Sequence, residues 1–283
     1  MTQQAIADMH IHTEQSDGAL SVTEVIQVAQ KIPHLKTIAI TDHDTAAGSR
    51  IALKEKDTTL DIISGIEFSC DYFGEEVHIL GYFIDCENPL LYEAEEKMLS
   101  ERKRQLSAIL ERLNKDHMPI TEQEVYTLSK TGVVGRPHIA GVLVQKGYAP
   151  SIRAAFRTYL SRGCKTYVPR NKMSIEQTVR LIGQLGGISV LAHPNSIYHQ
   201  SDVIHILNKG LQGIEVYHPL NTPCIQDYLK LAKERSLFVT GGSDFHAADR
   251  ISRALIGQCS VAQHYIDEMK AYHHSMQNHN GIS

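Results

Sequence analysis

Residues 8–18 read Asp8-Met9-His10-Ile11-His12-Thr13-Glu14-Gln15-Ser16-Asp17-Gly18, and they close a short apolar run that opens at Ala5. Read as a strand over Ala5–Met9, this run sends alternate residues to the same side, so His10 and His12 point together. A Ser-Asp-Gly turn then returns Asp17 toward them. Six more aliphatic runs follow: Thr37–Thr41, Ile62–Ile66, Val77–Phe83, Ile188–Ala192, Gly213–Tyr217 and Leu237–Thr240. Near-continuous apolar runs of this length suit buried strands of a parallel sheet. Helical periodicity lies between several of them. Val22, Val25, Ile26 and Ala29 share one face of Ser21–Lys31, and Asp227–Arg235 is a further helix. Ser174 opens another helix with Gln177 as its capping partner, and Gly186-Gly187 stops it. Strand and helix alternate, which implies an α/β architecture with a parallel sheet, and seven strands favour a barrel.

The pattern changes between Phe83 and Tyr167. Leu106, Ile109, Leu110 and Leu113 recur at helical spacing, as do Ile152, Ala155, Phe156, Tyr159 and Leu160, with no strand-like run between. Residues 86–166 therefore read as a helical insertion, a lid or substrate-binding element, in a metal-binding barrel made of residues 1–85 and 167–283. Residues 272–283 read as a frayed tail, with His273, His274 and His279 solvated.

Composition narrows the functional classes. The chain of 283 residues is 42% hydrophobic and 21% charged, enough for a packed core. A formal net charge of -4 gives no forecast of duplex DNA binding. No apolar run reaches the roughly 20 residues of a membrane span, and residues 1–7 lack the pattern of a secretory signal. Five scattered cysteines without a CxxC pair point to reduced thiols and a cytoplasmic setting. No obligate protein partner is evident.

The 16 histidines matter through their positions. Asp42-His43-Asp44 caps the second strand and Glu67 the third. His78 lies early in the fourth strand, His193 caps the fifth, and Asp244 and His246 follow the last. The carboxyl ends of parallel strands meet at one face, where sites form. That face gathers His10, His12, Asp17, His43, Glu67, His78, His193, Asp244 and His246. So many polar groups at a core mouth would be costly to bury without a shared cation. Nitrogen and oxygen donors without thiolate suit Mn, Zn or Fe. The set is large enough for two or three divalent ions, and Glu67, with two oxygens, is the natural bridge. Paired ions activate water and clamp phosphoryl oxygens. Nearby cations favour a phosphate substrate: Arg136, with His138, in the insertion, and Lys165 and Arg170 at its return. His218 follows a strand and faces the same mouth, as a substrate contact. His34, His117, His199, His205 and His264 fall in polar loops or helices.

Taken together, residues 8–18, TDHD at 41–44, GIEFS at 65–69, AHP at 192–194 and GSDFH at 242–246 resemble the polymerase-and-histidinol-phosphatase (PHP) family of the amidohydrolase superfamily. The resemblance implies a distorted (β/α)7 barrel. It also implies a division of ligands: His10, His12, Glu67 and Asp244 for one ion, Glu67, His78 and His193 for a second, and Asp17, His43 and His246 for a third, manganese being the first expectation. The segment GRPHIA at 135–140 resembles the stand-alone bacterial subgroup, which includes 3′,5′-nucleotide bisphosphate phosphatases and a 5′-to-3′ exoribonuclease of short RNA. The implied reaction removes a phosphate from a nucleotide, with Arg136 and His138 holding the other phosphate and Asp44, His193 or His218 assisting proton transfer. A histidinol phosphate phosphatase and a non-catalytic metal-binding regulatory module are the competing expectations.

Overall fold

The structure is a computed structural model that describes residues 6–129, 133–197, 199–246 and 254–280. Ala5, the first residue of the expected opening strand, lies outside these. Among the described residues nine strands form one sheet: β1 (Ile6–Ile11), β2 (Leu35–Ile40), β3 (Asp61–Tyr72), β4 (Glu75–Tyr82), β5 (Met173–Ser174), β6 (Ile188–Leu191), β7 (Gly213–Tyr217), β8 (Phe238–Gly241) and β9 (Val261–Ala262). Their order is β8-β7-β6-β4-β3-β2-β1-β9, with β5 joined to β3. Beyond β8 the chain bends back beside β1, where Ile11 pairs with Phe245 in a parallel bridge. His12 N–H donates to Phe245 O and Asp244 N–H to His10 O, both at 2.9 Å. These bonds nearly close the sheet into the expected barrel.

One of the seven expected strands departs from the parallel expectation, and the added β9 also pairs antiparallel, with β1. β4 runs antiparallel to both β3 and β6. The reason is local: β3 and β4 are joined through Phe73-Gly74, too short for a crossover helix, so they form a hairpin. The reversal explains why His78 reaches the site from the first half of its strand; Glu67, expected to cap β3, stands in mid-strand instead, because β3 runs on to Tyr72 in the hairpin.

The helices are α1 (Val22–Ala29), α2 (Ala47–Ala52), α3 (Pro89–Lys115), α4 (Glu122–Leu128), α5 (Arg136–Gln145), α6 (Ile152–Ala155), α7 (Ile175–Gln184), α8 (Asp202–Leu207), α9 (Ile225–Arg235) and α10 (Gln263–Asn280). Ser174 and Gln177 make the capping box that their spacing suggests, at the start of α7. Leu106, Ile109, Leu110 and Leu113 of α3 pack with Val125, Ile139, Val142, Leu143 and Leu160 in a core of their own, apart from the two barrel cores. The chain end differs from the expected frayed tail. Ile266 and Met269 are buried and anchor α10, and helix continues to Asn280. His273 stacks on Phe83 with ring centroids 5.0 Å apart. Residues 281–283 and the side chain of His279 lie outside the described part. All five cysteines are free thiols. No helix among the described residues is long and apolar enough to cross a membrane.

Barrel closure requires a glycine beside the site. A Cβ on Gly242 would fall 2.3 Å from His10 Cβ and 2.4 Å from His10 N. Gly242→Ala must therefore push the β8 exit off β1. Its expected cost is about 1–3 kcal/mol, read as a lower denaturation midpoint at unchanged m-value.

Candidate metal centre

The nine residues expected at the barrel mouth meet there. Glu67 Oε2 lies 3.3 Å from His10 Nε2, 3.2 Å from His12 Nε2 and 2.9 Å from His43 Nδ1. Asp244 Oδ1 faces the same two strand histidines at 3.4 and 3.2 Å. The other oxygen of Glu67, Oε1, lies 3.0 Å from both His78 Nδ1 and His193 Nε2. A third group forms around Asp17, which faces His246 at 3.3 Å, His12 at 3.9 Å and His43 at 4.0 Å.

Surrounding residues fix these side chains. Glu215, fully buried on β7, holds His10 Nδ1 at 3.0 Å and accepts from the His193 backbone N–H at 2.7 Å. His193 itself sits at φ 26°, a region a non-glycine residue rarely occupies. Strain of this kind persists where neighbours over-determine the position, and here the neighbours are Glu215 and Ser196, whose Oγ meets His193 Nδ1 at 2.9 Å. Asp42 accepts from Thr13 N, Thr13 Oγ1 and Ser16 Oγ, which shapes the turn that delivers Asp17. Asp8 accepts from Ser243 N and Gly257 N, tying β1 to the segment that carries Asp244. Burial raises the Asp8 carboxyl to about 6.

The donor atoms fit cations better than they fit one another. His10 Nε2 and His12 Nε2 are 3.1 Å apart, nitrogen facing nitrogen. His43 Nδ1 and Glu67 Oε2 are both buried without a hydrogen-bond partner, although they lie 2.9 Å from each other. Ligands about 2.1 Å from a shared ion stand roughly 3.0–3.4 Å apart, which is the spacing seen. Among the described residues three groups of donors are compact enough for an ion: His10, His12 and Glu67; His43, Glu67 and His78; and His12, Asp17, His43 and His246.

A family model, the PHP domain, matches residues 8–161. The chain belongs to the PHP family. This PHP protein is 35% identical over 251 residues to the 5′-3′ exoribonuclease Rnm of Escherichia coli, covering 85% of both chains. It is 32% identical over 253 residues to the 3′,5′-nucleoside bisphosphate phosphatase of Chromobacterium violaceum, covering 85% of this chain and 87% of that one. In three dimensions it resembles a Bifidobacterium adolescentis protein classed as a metal-dependent phosphoesterase, with TM-score 0.85, 28% identity and coverage of 95% and 96%. The PHP protein is thus a metal-dependent hydrolase of phosphoester bonds.

Beside the metal centre of the PHP protein is a cavity of about 220 Å³, lined by Asp17, His43 and His78 together with Arg102, Arg136, Arg170 and Phe156. Arg136 is held by Glu76 at 2.8 Å, and Glu76 also takes Lys172 at 2.7 Å. The remaining expected residues divide. Arg170 lies at the cavity, paired with Asp44 at 2.9 Å. His138 caps its own helix, accepting the Gly135 N–H at 3.0 Å. Lys165 is a correction: its ammonium is 78% exposed and pairs with Asp116, 14 residues beyond Arg102 on the α3 axis, or roughly 20 Å. Asp44 is a second correction. Its Oδ1 accepts from Ser69 N at 2.7 Å, and its Oδ2 takes Arg102 at 2.5 Å and Arg170. Both oxygens are occupied, and the two guanidiniums outweigh burial to hold the carboxyl far below its ordinary range. His218 is fully buried behind Asp244, with Nδ1 accepting from Leu220 N at 3.1 Å and Nε2 3.3 Å from Asp244 Oδ2, so it orients that carboxylate and does not reach substrate.

Sequence reasoning missed Arg102, Glu76, Lys172 and Glu215. Glu215 carried a signal, an acid at the centre of the apolar run Gly213–Tyr217. Arg102 carried none, because Glu101-Arg-Lys-Arg104 reads as a solvated helix face.

Burial alone would lower the imidazole of His78, but the adjoining Glu67 carboxylate drives it up to about 10. His246 reaches about 10 in the same way, through Asp17 and Asp244. In the metal-free fold these protons stand where cations would. Both values lie above the ordinary 6.5, so their stabilising contribution is complete below 6.5 and disappears as pH rises toward 10. Metal-loaded protein does not depend on these protons. The gap in Tm between manganese-loaded and chelator-treated protein should therefore widen across that window. A constant gap would show that cations do not replace these protons.

Proposed function

We propose that this protein removes a phosphate from nucleoside 3′,5′-bisphosphates and, by the same chemistry, acts on short 5′-phosphorylated RNA. One observation carries the reading: donors of the metal centre (Asp17, His43 and His78) and three arginines line one small cavity. A substrate with a single phosphate would leave part of that lining unused. The names of the Escherichia coli and Chromobacterium violaceum relatives support the same substrate class. We assign two or three divalent ions, manganese first and zinc or iron next, to the ligand division given above. When bound, such ions lower the pKa of a water and neutralise charge on a phosphoryl group.

The chain's own residues supply the rest. Glu67 offers one oxygen to each of two ligand groups and so fixes their separation. His193, tied through Nδ1 to Ser196, keeps Nε2 for the metal side. Arg136, steadied by Glu76, presents a planar fork to the second phosphate. Arg102 and Arg170, both paired with Asp44, add guanidinium donors to the cavity lining. Histidinol phosphate suits the cavity less well, because its ammonium group would face three guanidiniums.

Phosphate release from adenosine 3′,5′-bisphosphate tests the reading. Release with manganese, abolished by chelator and leaving AMP, is the expected result; no release with any divalent ion overturns it. Arg136→Ala should raise KM for the bisphosphate about 10- to 100-fold, the value of a charged hydrogen bond, and should change hydrolysis of a simple aryl phosphate far less. Equal losses on both substrates would remove Arg136 from the second-phosphate site.

A further inference from the structure

The β3–β4 hairpin projects past the cavity. Its arm residues Ser69, Glu76 and His78 line the cavity, and the turn lies two residues of strand beyond the Asp71–Glu76 pair, roughly 7 Å farther out. Phe73 stands at the tip and is 84% exposed. Its φ is 50°, and Gly74 follows at 81°. Both central residues of the turn thus have positive φ, the type I′ pattern that favours Asn, Asp or Gly. A bulky aromatic residue there is strained, and this one recovers nothing by burial. Among the described residues its ring-to-ring contact is with Tyr72, edge to face with centroids 4.9 Å apart. A residue that breaks a local rule without a structural gain points to a role outside folding.

Positive charge lies against the same turn. A Cβ on Gly74 would be 3.2 Å from both terminal nitrogens of Arg162, so that guanidinium rests on the hairpin tip. Arg162 belongs to the segment that carries Phe156 into the cavity wall. Arg153 and Arg157 stand exposed on the same segment. None of the three has a carboxylate partner among the described residues. Exposed aromatics beside unpaired cations are how proteins hold single strands without reading sequence: bases stack and phosphates pair.

We propose that Phe73 and Arg162 form a track for single-stranded RNA leading out of the cavity, with Phe73 stacking on a base downstream of the cleaved phosphate. The track rests on the phosphoesterase reading above and extends it from mononucleotide to oligonucleotide. It also accounts for the strained turn.

The experiment measures binding of a fluorescent 5′-phosphorylated hexaribonucleotide to metal-free protein by anisotropy, beside hydrolysis of adenosine 3′,5′-bisphosphate. Phe73→Ala should weaken RNA binding roughly 5- to 100-fold, the value of one stacked base, with bisphosphate turnover unchanged. Phe73→Trp should retain binding. Phe73→Asn should raise Tm, since Asn suits the turn, while weakening RNA binding. Arg162→Ala should flatten the slope of log affinity against log salt by about 0.7, one phosphate contact on a single strand. RNA binding that is unaltered in Phe73→Ala and Arg162→Ala overturns the track, as does a hexamer that binds no tighter than the mononucleotide. Should wild-type protein hydrolyse neither substrate, the proposed function fails, and the anisotropy series still decides the track.

Discussion

A fully buried carboxylate governs this molecule. Glu67 has no solvent exposure, yet five imidazole nitrogens stand within 3.3 Å of its two oxygens. A charge in that position is costly unless it is paired and hydrogen-bonded, and its Oε2 has no hydrogen bond. The rings arrive from β1, the loop after β2, β4 and the loop after β6. Satisfying one carboxylate therefore requires the whole mouth of the barrel to be in register. Divalent cations held among these donors would supply the missing partners, and metal binding would then be part of the folding energy as well as the chemistry.

The helical segment is fastened to the barrel in two ways. The start of α3 buries Leu91 in the barrel core, with Ala94 and Met98 against it, while a second apolar cluster from Leu106 to Val168 stays separate. Charged contact is made at Asp44, which joins Arg102 of α3 and Arg170 to the loop bearing His43, and at Glu95, which pairs with Arg50 at 2.8 Å and accepts from Ala46 N. Breaking a buried pair of this kind leaves an uncompensated charge and is strongly destabilising. Arg102 and Arg170, which line the cavity, are thus placed by the same loop that carries His43. The donor cluster and the cavity lining have a common support.

Much of the barrel was legible in the sequence because its strands are short apolar runs that end in His, Asp or Glu. Periodicity placed His10 and His12 on one side, and the strand-end rule gathered the rest. The reversed direction of β4 was hidden, because an apolar run carries no sign of its orientation; only the short Phe73-Gly74 link betrays it. The cavity wall was harder. Arg136 stood out through its motif, while Arg102 was lost in a charged helix whose inward face is decided by tertiary packing. Lys165 was misplaced for the converse reason: proximity in sequence to Arg170 said nothing about which way the chain turns between them. The helical tail was underestimated since its polar composition conceals the two anchors, Ile266 and Met269, that lie before it.

The hairpin has a consequence for how this protein can vary. Glu76 and His78 are two residues apart on β4, so both side chains face the site, and their register is set across from Asp71 and Ser69. A slip of one residue in a strand carries every side chain to the opposite face. One residue inserted into or deleted from the turn would therefore expel His78 and the partner of Arg136 together. Exchange of the tip residue leaves the register alone. Variation at this corner is free in kind and fixed in number: the loop can be rewritten letter by letter but not lengthened, and new substrate contacts are open to it only by substitution.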